Sequence, residues 1–252
     1  MENNDEIESE LTKKPNIKQL KGLTVTPVKP DKNEREYKKV HEYLPQSPYV
    51  LGLFSPRQTG KSTVISWLLL HDDALGQDYY KKVYIFSPTI EQCSTSRFLR
   101  QRYECDTVYT DEKLQSIIDT QSKQDKAEQD HICCIFDDCV GDYSMNKGSL
   151  LTKFVTKARH YNADIIISIQ HFKSMPKITR SNLTDVLIGY PIVNAKMMKE
   201  MAEEFSENFE GGEKDFYKYY YEATKRERYN YMNMKLKYSP IQIYSTFSER
   251  IL

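Results

Sequence analysis

Gly60-Lys61-Ser62-Thr63 is the part of this sequence best equipped for chemistry. It follows a short apolar run, Tyr49 to Phe54, and opens a helical pattern that continues to Leu70. A strand therefore passes through a polar loop into a helix start. The unpaired N–H groups of such a start, together with the loop amides, attract phosphate, and the helix dipole favours the same negative charge. Gly60 lets the backbone approach without a Cβ. Lys61 would reach the β and γ phosphates, and the Ser62 hydroxyl would bind Mg²⁺, as in the pattern GxxxxGK[ST]. The loop Ser55-Pro56-Arg57-Gln58-Thr59 departs from that pattern at its first position, where Ser55 replaces glycine and Pro56 follows. The stretch from Ser55 to Thr63 is expected to cradle ATP.

A hydrolytic site of this kind needs a carboxylate at the tip of a neighbouring buried strand. His131-Ile132-Cys133-Cys134-Ile135-Phe136 is a continuous apolar run that stops at Asp137-Asp138, the pattern of a strand covered on both faces. Carboxylates are costly inside a core, so this pair requires a cation or solvent. Asp137 is expected to hold the Mg²⁺. Asp138 is expected to orient or deprotonate the attacking water, and because it is one methylene shorter than glutamate, a water bridge or a different approach is implied. Ala163 to Ile169 reads as the next buried strand and ends at Gln170. The Gln170 amide both donates and accepts, which suits sensing the γ phosphate or holding the water.

These residues need a scaffold, and the remaining chain supplies one. Lys82–Phe86 reads as a strand, Thr107–Tyr109 as another short one, and Asp111–Gln121 as a helix. A small-residue loop, Gly141–Gly148, leads to a helix from Ser149 to His160, followed later by a strand at Asp185–Ile188 and a helix at Ala195–Phe205. The alternation of strands and helices predicts an α/β fold with a mostly parallel central sheet and helices on both faces. In the segment Lys214–Lys237, Phe216–Tyr221 and Tyr229–Leu236 read as paired antiparallel strands at a sheet edge, with basic residues on the wet face. Residues 1–40 alternate acids and lysines around Pro15, Pro27 and Pro30 and are expected to form a flexible charged arm. Residues 41–252 form the expected ATPase domain.

Composition excludes several classes. The 252 residues hold 36 basic and 36 acidic side chains, so any contact with DNA must be local, not the work of a global basic field. No apolar run approaches the roughly 18–20 residues that cross a bilayer, and the acidic start has no secretory pattern. Five cysteines without CxxC or Cys/His spacing are read as reduced thiols in an intracellular protein, not a zinc site.

The order Phe54 to Thr63, then Ile135-Phe136-Asp137-Asp138, then Ala158-Arg159-His160-Tyr161-Asn162 leading to Ser168-Ile169-Gln170 resembles the genome-packaging ATPases of large DNA viruses, the poxvirus-type branch of the FtsK/HerA translocases. The resemblance covers residues 45–195 and is most specific from Arg159 to Pro191. It implies a RecA/FtsK-like P-loop fold and an ATP-driven homo-oligomeric ring, with six subunits expected, working inside the host cell. Such a ring moves double-stranded DNA into a preformed capsid and implies a capsid or portal partner. It also implies an arginine reaching a neighbour's γ phosphate, with Arg159 the first candidate and Arg180 the second. Lys147, Lys173 and Lys177 are candidates for contact with DNA. Two other readings stay open on sequence grounds: a nucleotide-binding assembly switch without turnover, and another stand-alone P-loop ATPase or kinase.

Overall fold

The computed structural model describes residues 35–139 and 149–252. The expected arm over residues 1–40 falls almost wholly outside the described residues, as does the Gly141–Gly148 loop with Lys147. In chain order the main elements are β1 (Val50–Phe54), α1 (Lys61–Leu70), β2 (Lys82–Phe86), α2 (Arg97–Arg102), β3 (Glu104–Asp106), α3 (Asp111–Ser122), β4 (Ile132–Asp137) and α4 (Leu150–Thr156). They continue with β5 (Ala163–Ile169), α5 (Lys177–Arg180), β6 (Asp185–Gly189), α6 (Ala195–Phe205), α7 (Glu213–Thr224), β7 (Tyr231–Lys235) and β8 (Gln242–Ser245).

The strands form one sheet in the order β3-β2-β4-β5-β1-β6-β7-β8. Strands β3 to β6 in that row run parallel, whereas β7 and β8 are antiparallel additions at one edge. Every residue of β1, β4, β5 and β6 is buried, as expected for central parallel strands covered on both faces. Because successive side chains alternate, each strand feeds two cores. Leu51, Leu53, Cys133, Ile135, Ile166 and Leu187 pack on the α1 face with Ile65, Leu68 and Leu69. Phe54, Cys134, Phe136, Ile165, Ile167 and Ile188 pack on the other face, with the apolar sides of α3, α4, α6 and α7.

Register decides what happens at the strand tips. Asp137 of β4 lies opposite Ser168 of β5, and Phe54 of β1 lies opposite Ile169 of β5. The carboxyl ends of β1, β4 and β5 therefore finish at one level, and the loops leaving them share one side of the sheet.

Three expectations about secondary structure are corrected. The short third strand is Glu104–Asp106, not Thr107–Tyr109, because Thr110 caps α3 by accepting from the Lys113 amide and Tyr109 turns its ring onto Phe86 and Phe136. The helix capped by Ser149 ends at Thr156, and a separate 3₁₀ turn, Ala158–Tyr161, closes at Asn162 with φ 50°. Phe216–Tyr221 lies in helix α7. Its aromatics favour strands locally, but Phe216, Tyr220, Ala223 and Thr224 are the buried positions, a helical period that tertiary packing enforces. The antiparallel edge pair is β7 with β8.

Lys235 also departs from the expected wet face. It is wholly buried and forms a 2.8 Å ion pair with its cross-strand partner Asp185, while its Nζ also donates to the Leu44 carbonyl. Burial lowers the Lys235 pKa and the Asp185 carboxylate opposes that shift. Removing one member of a buried pair strands the other charge. Lys235→Met should therefore lower the unfolding free energy by about 3–5 kcal/mol, and the paired Asp185→Leu/Lys235→Met variant should recover most of the loss in urea denaturation.

Candidate active site

The phosphate loop leaves β1 and turns through Gln58 (φ 60°) and Gly60 (φ 91°) before α1 begins at Lys61. The left-handed conformation at position 60 is the one glycine adopts without penalty. No acidic side chain occupies the first turn of α1 and no side chain caps it, so the positive end of the helix dipole is unopposed there. Lys61 folds back into the loop, where its Nζ donates to the Ser55 and Pro56 carbonyls at 3.0 and 3.2 Å. The same nitrogen is 4.0 Å from Asp138 Oδ2. Burial depresses the Lys61 pKa, and Asp138 and Asp137 hold it up.

Ser55 explains how the loop manages without its first glycine. Its side chain is buried and bonds Thr59 Oγ1, which in turn donates to the Pro56 carbonyl at 2.7 Å. A Cβ built on Gly189 of β6 would meet Ser55 Oγ at 2.2 Å. Gly189 of the adjacent strand thus leaves room for the Ser55 side chain. Tyr231 of β7 supports the loop from the same direction, donating its hydroxyl to the Thr59 carbonyl at 2.7 Å. Ser55, Pro56 and Thr59 thus shape the loop without lining the cleft, whereas Arg57, Gln58, Gly60, Lys61, Ser62 and Thr63 do line it.

Asp137 and Asp138 arrive from the end of β4. Asp137 Oδ2 accepts from the Ser87 hydroxyl at 3.1 Å, while its buried Oδ1 has no protein partner. Burial pushes the Asp137 pKa above its ordinary 3.8 and Asp138 adds in the same direction, while the neighbouring Ser168 hydroxyl, Ser87 and Lys61 pull against them. An orphaned carboxylate oxygen in a cleft that Ser62 also lines fits a hard cation held by oxygen ligands. Among the described residues no group of three His, Cys, Asp or Glu side chains forms a metal site. Magnesium is usually bound through one or two carboxylates plus substrate phosphates.

Asp138 takes a left-handed backbone, φ 49°, and its amide donates to the Ser168 carbonyl at 2.8 Å. Its Oδ2 accepts from Gln170 Nε2 at 2.9 Å, and Gln170 Oε1 accepts from Arg57 Nε at 3.1 Å. Arg57, Gln170, Asp138 and Lys61 therefore form one chain of contacts joining three strand ends. The cleft they border has a volume of about 840 Å³. Thr89, Cys93, Thr95, His171 and Tyr229 also line it; they carry no recognisable motif, and the sequence reading missed them together with Ser87.

The two arginine candidates lie elsewhere. Arg159 is exposed on the 3₁₀ turn ahead of β5, at the opposite end of that strand from Gln170. Arg180 is committed within the chain: its Nε lies 3.0 Å from Glu204 and its guanidinium packs over Phe172 at 4.9 Å. Lys173 shares Glu204 at 3.3 Å.

The raised Asp137 pKa has a signed consequence. The folded protein binds that proton more tightly than the unfolded chain, so its contribution to stability is complete below pH 3.8 and is lost as pH rises through the folded value. Asp137→Asn should therefore raise the melting temperature of the ligand-free protein at pH 7, with the gain shrinking toward pH 4. Thermal melts across that range check it.

Residues 41–208, two thirds of the chain, match the family model of the poxvirus A32 protein. The fold is similar to that of the genome packaging NTPase B204 from Sulfolobus turreted icosahedral virus 2. With ATP-gammaS bound, that structure gives a TM-score of 0.52 at 14% identity over 79% of this chain and 98% of that one. With AMPPCP bound it gives 0.54 at 12% identity, over 78% and 96%. B204 described as the DNA-packaging ATPase from Sulfolobus turreted icosahedral virus gives 0.54 at 13% identity, again over 78% and 96%. At such identities the likeness is one of fold. No curated protein sequence matches this chain. The matched stretch contains the phosphate loop, the paired aspartates and Gln170, and the chain belongs to the poxvirus A32 protein family.

Proposed function

We propose that this chain is a Mg²⁺-dependent ATPase that drives double-stranded viral DNA into a preformed capsid as one subunit of a homo-oligomeric, expectedly hexameric, ring inside the host cell. The observation that carries the proposal is the convergence of Lys61, Asp137, Asp138 and Gln170, from the ends of β1, β4 and β5, on one cleft at the start of α1. Family membership and the fold shared with the B204 packaging NTPases support the same reading.

Each residue has a task in that chemistry. The loop amides and Lys61 hold the phosphates, Lys61 exchanging its two carbonyl partners for phosphate oxygens. Asp137 and the Ser62 hydroxyl would hold magnesium, which supplies charge neutralisation at the β and γ phosphates. Asp138 accepts the proton of the attacking water. Gln170, already bonded to Asp138, orients that water against it. Arg159 cannot serve its own cleft from the far end of β5, so its proposed role is in trans, on a neighbour's γ phosphate. Such a contact is worth about 10³–10⁵ in rate in other NTPases. Arg159 is the preferred candidate from its place in the family order, ahead of Arg180, which is paired with Glu204. A few basic side chains per subunit, repeated around a ring, can grip duplex DNA through its phosphates despite zero net charge. A capsid or portal protein is the proposed second partner. No helix among the described residues is long and apolar enough to cross a membrane.

Steady-state ATPase assays with and without duplex DNA test the proposal. Duplex DNA should stimulate turnover, and nucleotide binding without turnover under both conditions would replace the motor with an assembly switch. Lys61→Ala should abolish turnover, and Asp138→Asn should lower it by about 10²–10⁴ while keeping nucleotide binding. Mixing inactive Arg159→Ala subunits with inactive Asp138→Asn subunits should restore part of the activity, since each supplies what the other lacks. Mixed assemblies that stay inactive would refute action across the interface.

A further inference from the structure

Among the described residues that line the cleft, only Tyr229 comes from the chain beyond His171. Its position in the sheet gives that fact meaning. β1 lies between β5 on one side and β6 and β7 on the other. Asp137, Asp138 and Gln170 therefore flank the phosphate loop on the β5 side, and Tyr229, just ahead of β7, flanks it on the opposite side. A Cβ built on Gly60 would lie 3.1 Å from Tyr229 Cδ1, so the ring stands directly beside the loop.

The Arg228 guanidinium lies 5.7 Å from the ring centroid, and the ring is otherwise largely open to solvent. Tyr229 is 59% exposed, and its backbone holds φ at 76°, a region that bulky L-residues avoid at a cost of about 1–3 kcal/mol. Lys225 and Arg226 in the same turn are also left-handed, at 52° and 54°. The turn is clamped on both sides: Asn230 Nδ2 donates to the Thr224 carbonyl at 3.1 Å, and the Tyr190 amide donates to the Asn230 carbonyl at 3.0 Å. Two residues on, the Tyr231 hydroxyl fastens β7 to Thr59 of the phosphate loop. A strained turn fixed at both ends and tied to the loop keeps an aromatic face at the cleft rim.

A triphosphate whose γ end meets Lys61 and the acidic pair must leave the loop on its far side, and its nucleoside emerges there. We infer that Tyr229 is the platform on which the nucleotide's base stacks, which makes the C-terminal turn between α7 and β7 part of the nucleotide site. This inference rests on the proposed ATPase reading and adds the residue that recognises the base. Stacking on an aromatic face needs no base-edge hydrogen bond.

Calorimetric titration of the full chain with Mg²⁺-ATP and, separately, with Mg²⁺-tripolyphosphate separates base from phosphate. Tyr229→Gly keeps the left-handed turn while removing the ring. It should weaken ATP binding by about 10- to 100-fold and change tripolyphosphate binding by less than about twofold, as for any stacking-only contact. Tyr229→Phe, which keeps the ring, should restore ATP binding. Equal losses for both ligands would make Tyr229 a support for the loop, and no loss for ATP would remove it from the site; either result overturns the inference. Lys61→Ala reports on the underlying reading, since it should weaken both ligands. If the unsubstituted protein binds neither ligand, or Lys61→Ala weakens neither, the nucleotide site itself falls and the platform with it.

Discussion

The structure turns on the burial of one ammonium group beside two carboxylates. Lys61 is 8% exposed and held by two loop carbonyls, with Asp138 at 4.0 Å, while Asp137 is buried with one oxygen left without a protein partner. Charges of this kind are expensive away from water unless paired. Here the pairing is incomplete, because burial still depresses the lysine and raises the aspartate. In the proposed function, a phosphate chain and a divalent cation would supply the missing compensation. Strain and imperfect pairing of this sort concentrate at functional sites.

That arrangement is possible only because the parallel sheet delivers its strand tips together. β4 and β5 are in register from Ile132 and Ala163 to Asp137 and Ser168, and β1 joins the same row on the other side of β5. A slip of one residue in β4 would turn the Asp137 side chain to the opposite face and disconnect it from Ser87. The apolar alternation that fills two cores is thus also what aims the carboxylate.

The antiparallel edge contributes more than closure of the sheet. Gly189 leaves the space that Ser55 fills, Tyr231 holds Thr59 from below, and Tyr229 stands at the rim of the cleft. An incomplete phosphate-loop pattern at position 55 is therefore matched by elements more than 130 residues later in the chain. The loop is built by its neighbours as much as by its own residues.

Local pattern fixed a good deal of this in advance. The buried runs Ile132–Phe136 and Ala163–Ile169, the helix at Ala195–Phe205 and the loop from Ser55 to Thr63 are legible because apolar continuity, helical period and glycine placement are properties of adjacent residues. So are Asp137, Asp138 and Gln170, since a polar residue ending an apolar run marks a strand tip. What neighbours in sequence could not reveal was decided by packing. The aromatic segment 216–221 became a helix because its buried positions repeat every three to four residues against a core that only the assembled sheet provides. Lys235 turned inward because Asp185 lies directly across from it in the paired strand, and Tyr229 reached the cleft because β7 pairs beside β6. Chemistry carried by residue type and local spacing can be read along the chain, whereas contacts between distant segments depend on strand order and register, which only the folded sheet sets.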